Sequence, residues 1–138
     1  MFSTTGFARH AAAAAALAAA AVAAIPACAD DGFPFGFEMT LDAAPQGGSK
    51  RIPTLDIGDN GEARLELWCK DGRGQFSVAG NTVIFVPGPL QDRDCTPARA
   101  QADDDLVAAL SEAATWKRRG DLVSFIGTRP VRFRINTN

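Results

Sequence analysis

The chain has 138 residues, with 14 Lys+Arg against 16 Asp+Glu, and therefore a formal net charge of −2. This balance excludes the strongly basic composition of many nucleic-acid-binding proteins, so we expect no nucleic-acid partner. His10 is the only histidine and tyrosine is absent, which excludes serine–histidine catalysis and imidazole metal sites from any mature domain that lacks His10.

The N-terminal segment has the three-part layout of a secretory signal peptide. Arg9 and His10 precede an unbroken apolar run over residues 11–25, and small residues follow it. As a helix this run would be about 22 Å long, which is short of the roughly 30 Å hydrocarbon core of a bilayer. We therefore predict a signal peptide over residues 1–29, export to the periplasm or the exterior, and no transmembrane segment in the mature chain.

Cys28 leaves a second interpretation of the N-terminus open. The tetrapeptide IPAC at residues 25–28 resembles a bacterial lipobox, whose cysteine is acylated and tethers the protein to a membrane. Pro26 stands where a lipobox normally carries a small, flexible residue, whereas Ala27 and Ala29 satisfy the small-x-small rule for simple cleavage. We favour cleavage before Asp30, which removes Cys28. In the alternative, the protein is a lipoprotein anchored through Cys28.

The mature chain, residues 30–138, is long enough for one domain of about 110 residues. Its net charge is −3, because Arg9 leaves with the signal peptide. It retains two cysteines, Cys69 and Cys95, and an even pair in an oxidising compartment is most simply a disulfide. Such a bridge closes a loop of roughly 25 residues and stabilises the fold by about 3 kcal/mol in the chain-entropy model.

The first half of the mature chain predicts a series of short antiparallel strands. Apolar and polar residues alternate from Phe35 onwards, which places Phe35 and Phe37 on the inward face. Asn60-Gly61 and Gly80-Asn81 are hairpin signals between such segments. Cys69 falls on the inward face of its strand, where a bridge would be protected. The strands predicted in this way cover residues 35–41, 55–57, 65–69, 75–78 and 82–86.

The second half predicts one amphipathic helix and a closing hairpin. Thr96-Pro97 is a typical helix start, and Asp103–Asp105 would lie near that start, where the helix dipole favours negative charge. Lys117–Arg119 followed by Gly120 is typical of a last helical turn and stop. Two strands follow, at residues 122–126 and 131–135. The predicted fold class is α+β: a small antiparallel β-barrel or strongly curved sheet of six to eight strands, with one packed α-helix.

Two sets of side chains are candidates for a contact surface. Arg129, Arg132 and Arg134 lie on or beside the last predicted strand and would suit anionic lipid head groups or an acidic partner protein. The alternative is an edge strand that its charges protect from aggregation. Trp68, on the polar face of its strand, and Trp116, at the predicted helix end, would suit a partner-binding role. The alternative for both is packing against the helix.

The order of these features resembles the META domain, the HslJ-like family. Three stretches carry the resemblance: WCKDGRGQFSVAGNTVIF at residues 68–85, DCTPARAQADDDLVAALSEAATWKRRGDLVSF at residues 94–125, and VRFRI at residues 131–135. The resemblance spans roughly residues 33–136. It implies an exported or envelope-linked domain that is associated with envelope stress and has no established catalytic activity.

We therefore expect a META-like protein, not an enzyme and without metal or other cofactor, that acts by contact in the bacterial envelope. Its partner would be an envelope protein or an anionic lipid surface. One alternative is a barrel that binds a small apolar ligand or lipid; another is inhibition of a secreted hydrolase through the loop at residues 87–94. The large inward side chains favour a filled interior over a carrier.

Overall fold

The computed structural model describes residues 32–91 and 93–137, so the predicted signal peptide and Cys28 lie outside the described residues. Eight strands pair antiparallel in chain order, and β8 pairs with β1, which closes the sheet into a barrel. The predicted α+β barrel with one packed helix is confirmed. The elements are β1 Phe37–Leu41, β2 Thr54–Ile57, β3 Glu62–Glu66, β4 Asp71–Ala79, β5 Thr82–Pro87, α1 Pro97–Glu112, β6 Thr115–Arg119, β7 Leu122–Ile126 and β8 Val131–Ile135.

The helix α1 begins where the sequence predicts and ends earlier. The Thr96 hydroxyl accepts a hydrogen bond from the Arg99 N–H, and Pro97 occupies the first turn, where a missing N–H costs nothing. The helix ends at Glu112, because Ala113 has an extended backbone.

The prediction that Lys117–Arg119 form the last turn of this helix is wrong. These residues belong to β6, which pairs with β7 at five positions from Thr115 to Arg119. Gly120 has a φ of +61° and lies in the turn between β6 and β7, so it ends a strand rather than a helix. Pairing with β7 outweighs the intrinsic helical preference of a Lys-Arg-Arg sequence, because tertiary contacts commonly override propensity.

The barrel interior is filled by apolar side chains. Phenylalanine rings pack against one another through its centre: the ring centroids of Phe76 and Phe85 lie 4.6 Å apart, those of Phe76 and Phe125 lie 5.5 Å apart, and those of Phe125 and Phe133 lie 6.0 Å apart. The other large side chains that are fully buried include Met39, Leu55, Ile57, Leu65, Leu67, Leu110, Val83 and Val123.

Phe35 and Phe37, which the sequence predicts to lie inward, do not belong to the buried core. Phe35 is 37% exposed and Phe37 is 41% exposed. The strand β1 begins only at Phe37, after a turn at Gly36 (φ +80°), so both side chains lie at the rim of the barrel. Phe33 takes the inward place instead, with its ring edge-on to Trp116 at a centroid distance of 5.2 Å. The guanidinium of Arg118 lies 5.4 Å from the centre of the Phe37 ring.

The helix α1 contacts β5 and β8, two strands that are not neighbours in the barrel. Among the described residues, the strands β5 and β6 that this helix connects are paired only at Thr82 and Thr115. Leu106, Leu110 and Ala113 complete the apolar core from this side. Among residues 32–91 and 93–137, α1 included, the structure holds no helix that is long and apolar enough to cross a bilayer.

Candidate functional site

The turn between β3 and β4 is fastened to α1 by a buried carboxylate. Asp103 is completely buried. Its Oδ1 accepts a hydrogen bond from the Trp68 N–H at 2.8 Å, and its Oδ2 accepts two more, from Cys69 at 3.1 Å and Lys70 at 2.7 Å. Three consecutive N–H groups thus form an anion-binding concavity that one carboxylate fills.

A disulfide closes the same junction. Cys69 in this turn is bonded to Cys95, which precedes the helix cap Thr96, as the sequence predicts. Both cysteines are half-buried, and Cys69 lies beyond the end of β3. The prediction that Cys69 shares the protected inward face of Leu67 is therefore wrong. The covalent bond and the Asp103 carboxylate hold one turn against one helix.

The prediction that Asp103 lies near the helix start, where the helix dipole favours negative charge, is also wrong. Asp103 is the seventh residue of α1 and lies one turn before the core residue Leu106. Asp104 and Asp105 are exposed, as a solvated helix face requires. The sequence contains one usable signal for Asp103: it falls at i−3 from Leu106 and i−7 from Leu110, on the apolar face.

The three arginines of the predicted contact surface each have carboxylate partners. The Arg129 guanidinium lies 3.2 Å from Glu112, and that of Arg132 lies 3.6 Å from Asp42. Arg134 donates a hydrogen bond to the Asp121 carboxylate at 2.9 Å. That hydrogen bond, followed by the charge of Asp121, raises the pKa of Arg134.

These ion pairs reduce the net positive field along β8. Asp42, Asp121 and Glu112 lie among the guanidinium groups, so an incoming anion meets charges of both signs. The alternative interpretation, an edge strand protected by charge, is wrong for β8, because this strand pairs with both β7 and β1.

Both tryptophans pack against the apolar core, and they differ in what their indole N–H groups contact. Trp68 is half-buried against the apolar core, and its indole Nε1–H is buried without a hydrogen-bond partner in the described part of the chain. Trp116 lies in β6, not at a helix end, and its indole Nε1–H donates to the Gly80 carbonyl at 2.8 Å. Both tryptophans therefore pack inward, and Trp116 in addition forms part of the wall of a surface groove.

That groove runs along β6 and has a volume of about 750 Å³. It is open to solvent and lies outside the barrel interior. Gly80 and Asn81, in the turn between β4 and β5, form one end, and Gly32 lies beside it. Its other lining residues are Thr115, Trp116, Lys117, Arg118, Arg119 and Ile126. Sequence reasoning missed this surface because it assigned residues 117–119 to a helix.

The remaining ionisable side chains do not form a metal centre in the described residues. Residues 32–91 and 93–137 contain no group of three His, Cys, Asp or Glu side chains placed to hold a metal ion. Asp71 forms ion pairs with both Arg51 and Arg93. The single Asp71 carboxylate, at the start of β4, is thus held between two guanidinium groups.

Comparisons with known proteins support the fold. No family model matches the chain, and no curated protein matches it. A solved structure titled "NMR structure of the protein" is similar, with a TM-score of 0.56 and 12% sequence identity. The match covers 72% of this chain and 89% of that chain. At this identity the similarity shows the fold alone.

Proposed function

We propose that this protein is an exported, non-catalytic domain that acts by contact with a partner in the bacterial envelope. The observation that carries the proposal is the filled barrel interior. The contacts among Phe76, Phe85 and Phe125 occupy the space that a carrier would reserve for its ligand. Function is then expected on the outer surface, where strands and turns offer side chains to a partner.

The contacts that reactive side chains make within the fold support the non-catalytic part of the proposal. A general acid or base must reach a substrate proton. The carboxylate of Asp103 is buried and bonded to three backbone N–H groups. The two cysteines of the mature chain are joined to each other. These groups support the fold, and in these positions they do not face a substrate.

The disulfide supports export, because such bonds form and persist in oxidising compartments. It agrees with the signal peptide predicted over residues 1–29 and with the resemblance to the META domain. The proposal therefore places the mature chain, beginning at Asp30, in the periplasm or outside the cell. Anchoring through Cys28 would place the same domain on a membrane surface instead.

The proposal is tested by purifying the protein from its own host without denaturation, after mild cross-linking in the intact envelope. We expect the chain to cross-link to a protein partner in fixed stoichiometry. Native mass spectrometry of the un-cross-linked chain should give the mass of the polypeptide alone. A free-thiol label applied to unfolded, non-reduced protein should find no reactive cysteine.

Two outcomes would contradict the proposal. A stoichiometric lipid or other apolar molecule, retained by the wild type and lost from a folded Phe85→Ala variant, would establish the carrier instead. Absence of any cross-linked partner at any cross-linker length would remove the contact function. The cross-linking is repeated with the Asp103→Asn variant, whose fold is weakened. A partner that binds only the unfolded chain would cross-link more to this variant than to the wild type.

A further inference from the structure

Within residues 32–91 and 93–137, nothing pairs with one edge of β6 over three residues. On one side, β6 pairs with β7 at every position from Thr115 to Arg119. On the other side, its only ladder partner in the described part of the chain is β5, at Thr115. Beyond that point β5 turns into β4 at Gly80-Asn81, so no described strand lies beside Lys117–Arg119 on this side.

The backbone of this edge is oriented for a further strand. In an antiparallel ladder, alternate residues direct their N–H and C=O groups to the same neighbour. The Trp116 N–H points away from β7, because it donates to the Asn81 carbonyl at 3.0 Å. Arg118, two residues later, therefore directs both backbone groups into the groove, whereas Lys117 and Arg119 direct theirs to β7.

The side chains of the edge are cationic and differ from the arginines near β8. Lys117 and Arg119 are exposed and lie on the outer face. Neither has an ion-pair partner among the described residues, although Arg129, Arg132 and Arg134 all do. The groove beside them includes apolar surface from Trp116 and the 39%-exposed Ile126.

We propose that this edge binds an extended, acidic segment of a partner protein, which adds to β6 as a further strand. This inference rests on the proposed contact function and names its surface and the chemistry of its partner. Strand addition uses main-chain hydrogen bonds for affinity and side chains at alternate positions for specificity. Acidic residues at every second position would face Lys117 and Arg119.

The unpaired backbone favours a polypeptide over a lipid surface. Anionic head groups would respond to Lys117 and Arg119 but would not require the N–H and C=O of Arg118 to be free and aligned. The same two charges oppose apolar or basic strands, since charged edges resist indiscriminate pairing. An acidic strand is therefore the ligand that satisfies the backbone and the side chains together.

The test uses the exported chain and a blocked ten-residue peptide that alternates glutamate with valine. A peptide that alternates lysine with valine is the matched control. We expect the acidic peptide to bind in a 1:1 complex whose dissociation constant is at least tenfold lower than that of the basic peptide. In the complex, hydrogen exchange of the Arg118 amide should slow at least tenfold, while exchange of the Lys117 and Arg119 amides is unchanged.

Charge reversal tests the side chains. The double variant Lys117→Glu/Arg119→Glu should raise the dissociation constant at least tenfold. The double variant Lys50→Glu/Arg64→Glu changes the net charge by the same amount, at exposed residues away from β6, and should change the constant less than twofold. Both variants must retain the wild-type circular dichroism spectrum.

Several results would overturn the proposal. Equal binding of the two peptides, or an unchanged Arg118 amide in the complex, would exclude an acidic added strand. Binding to phosphatidylglycerol vesicles without peptide binding would assign the charges to a membrane. An Arg118 amide that is protected in the free chain, and exposed by Asp30→Asn/Asp31→Asn, would show that the protein's own N-terminus fills the groove.

Failure of strand addition is distinguishable from failure of the proposed function. An envelope partner captured equally by the wild type and by Lys117→Glu/Arg119→Glu would overturn the β6 assignment and leave the contact function intact. Absence of any partner would overturn the contact function itself.

Discussion

Replacing Asp103 by asparagine should destabilise the protein far more than the same replacement at Asp104 or Asp105. Asparagine has nearly the same shape, so it leaves no cavity, but it has one acceptor oxygen where aspartate has two. In its better orientation it keeps hydrogen bonds from Cys69 and Lys70 and turns its own NH₂ group towards the N–H of Trp68. That N–H is then buried without an acceptor.

The magnitude follows from the three contacts at 2.8, 3.1 and 2.7 Å. A buried N–H left without a partner costs about 1–3 kcal/mol. The two remaining bonds change from charged to neutral acceptors and lose about 1 kcal/mol each. The free energy of unfolding should therefore fall by about 3–5 kcal/mol, a large part of the roughly 5–15 kcal/mol typical of a domain.

The assay is urea denaturation of residues 30–138 with the disulfide intact, followed by tryptophan fluorescence. Asp104→Asn is the matched control, because Asp104 is the next residue of α1 and is exposed. In the described part of the chain Asp104 pairs with Lys70 at 3.4 Å, and the Asp104 side chain itself is 55% exposed, so this variant should lose less than about 1 kcal/mol. Equal stabilities for the two variants, with unchanged m-values, would refute the anchoring role of Asp103.

Three further predictions concern the disulfide, one turn and the N-terminus. The double variant Cys69→Ser/Cys95→Ser should lose about 3–4 kcal/mol of unfolding free energy, measured with urea, because the bridge spans 26 residues; a loss below about 1 kcal/mol would contradict this. Gly61→Ala should cost about 1–3 kcal/mol more than Gly80→Ala in thermal unfolding. Both glycines have positive φ, but only at Gly61 would a methyl group collide with a backbone carbonyl of β4; equal costs would exclude the collision. The intact mass of the exported protein should match a chain that begins at Asp30, and an acylated chain that begins at Cys28 would establish the lipoprotein.

Periodicity and turn residues were sufficient to predict most of the barrel. Alternation over residues 122–126 and 131–135 predicts β7 and β8 with their observed bounds. The Gly80-Asn81 turn joins β4 and β5 as expected. These signals are local, because a two-residue turn and a period of two depend on neighbouring residues alone.

The strand β6 was not predictable in the same way. Its sequence TWKRR follows a helix directly, and Lys-Arg-Arg-Gly is also a typical helix end. Its strand conformation depends on pairing with β7 and on the indole of Trp116, which binds the distant Gly80 carbonyl. Both contacts join residues that are distant in the sequence. Neither β6 nor the charged groove beside it could therefore be predicted from local pattern.

The role of Asp103 was hidden for a related reason. Three consecutive aspartates are usually a solvated run, and no local rule separates the first from the other two. Asp103 differs from the other two because the backbone N–H groups of the turn at residues 68–70 donate hydrogen bonds to its carboxylate. The disulfide was predictable, because the predicted export and removal of Cys28 leave an even pair of cysteines, which implies the bridge without any geometry.

Photo-cross-linking from the outer surface of the barrel, in the living host, tests the contact function most directly. A photoreactive residue is placed at one outward position on each strand, and adducts are compared among the eight variants. The positions are Glu38, Asp56, Arg64, Ser77, Ile84, Lys117, Ser124 and Arg134. The account predicts a discrete protein adduct that is strongest at Lys117 and weak or absent on the opposite side, at Asp56 and Arg64. The absence of a protein adduct at all eight positions would contradict it.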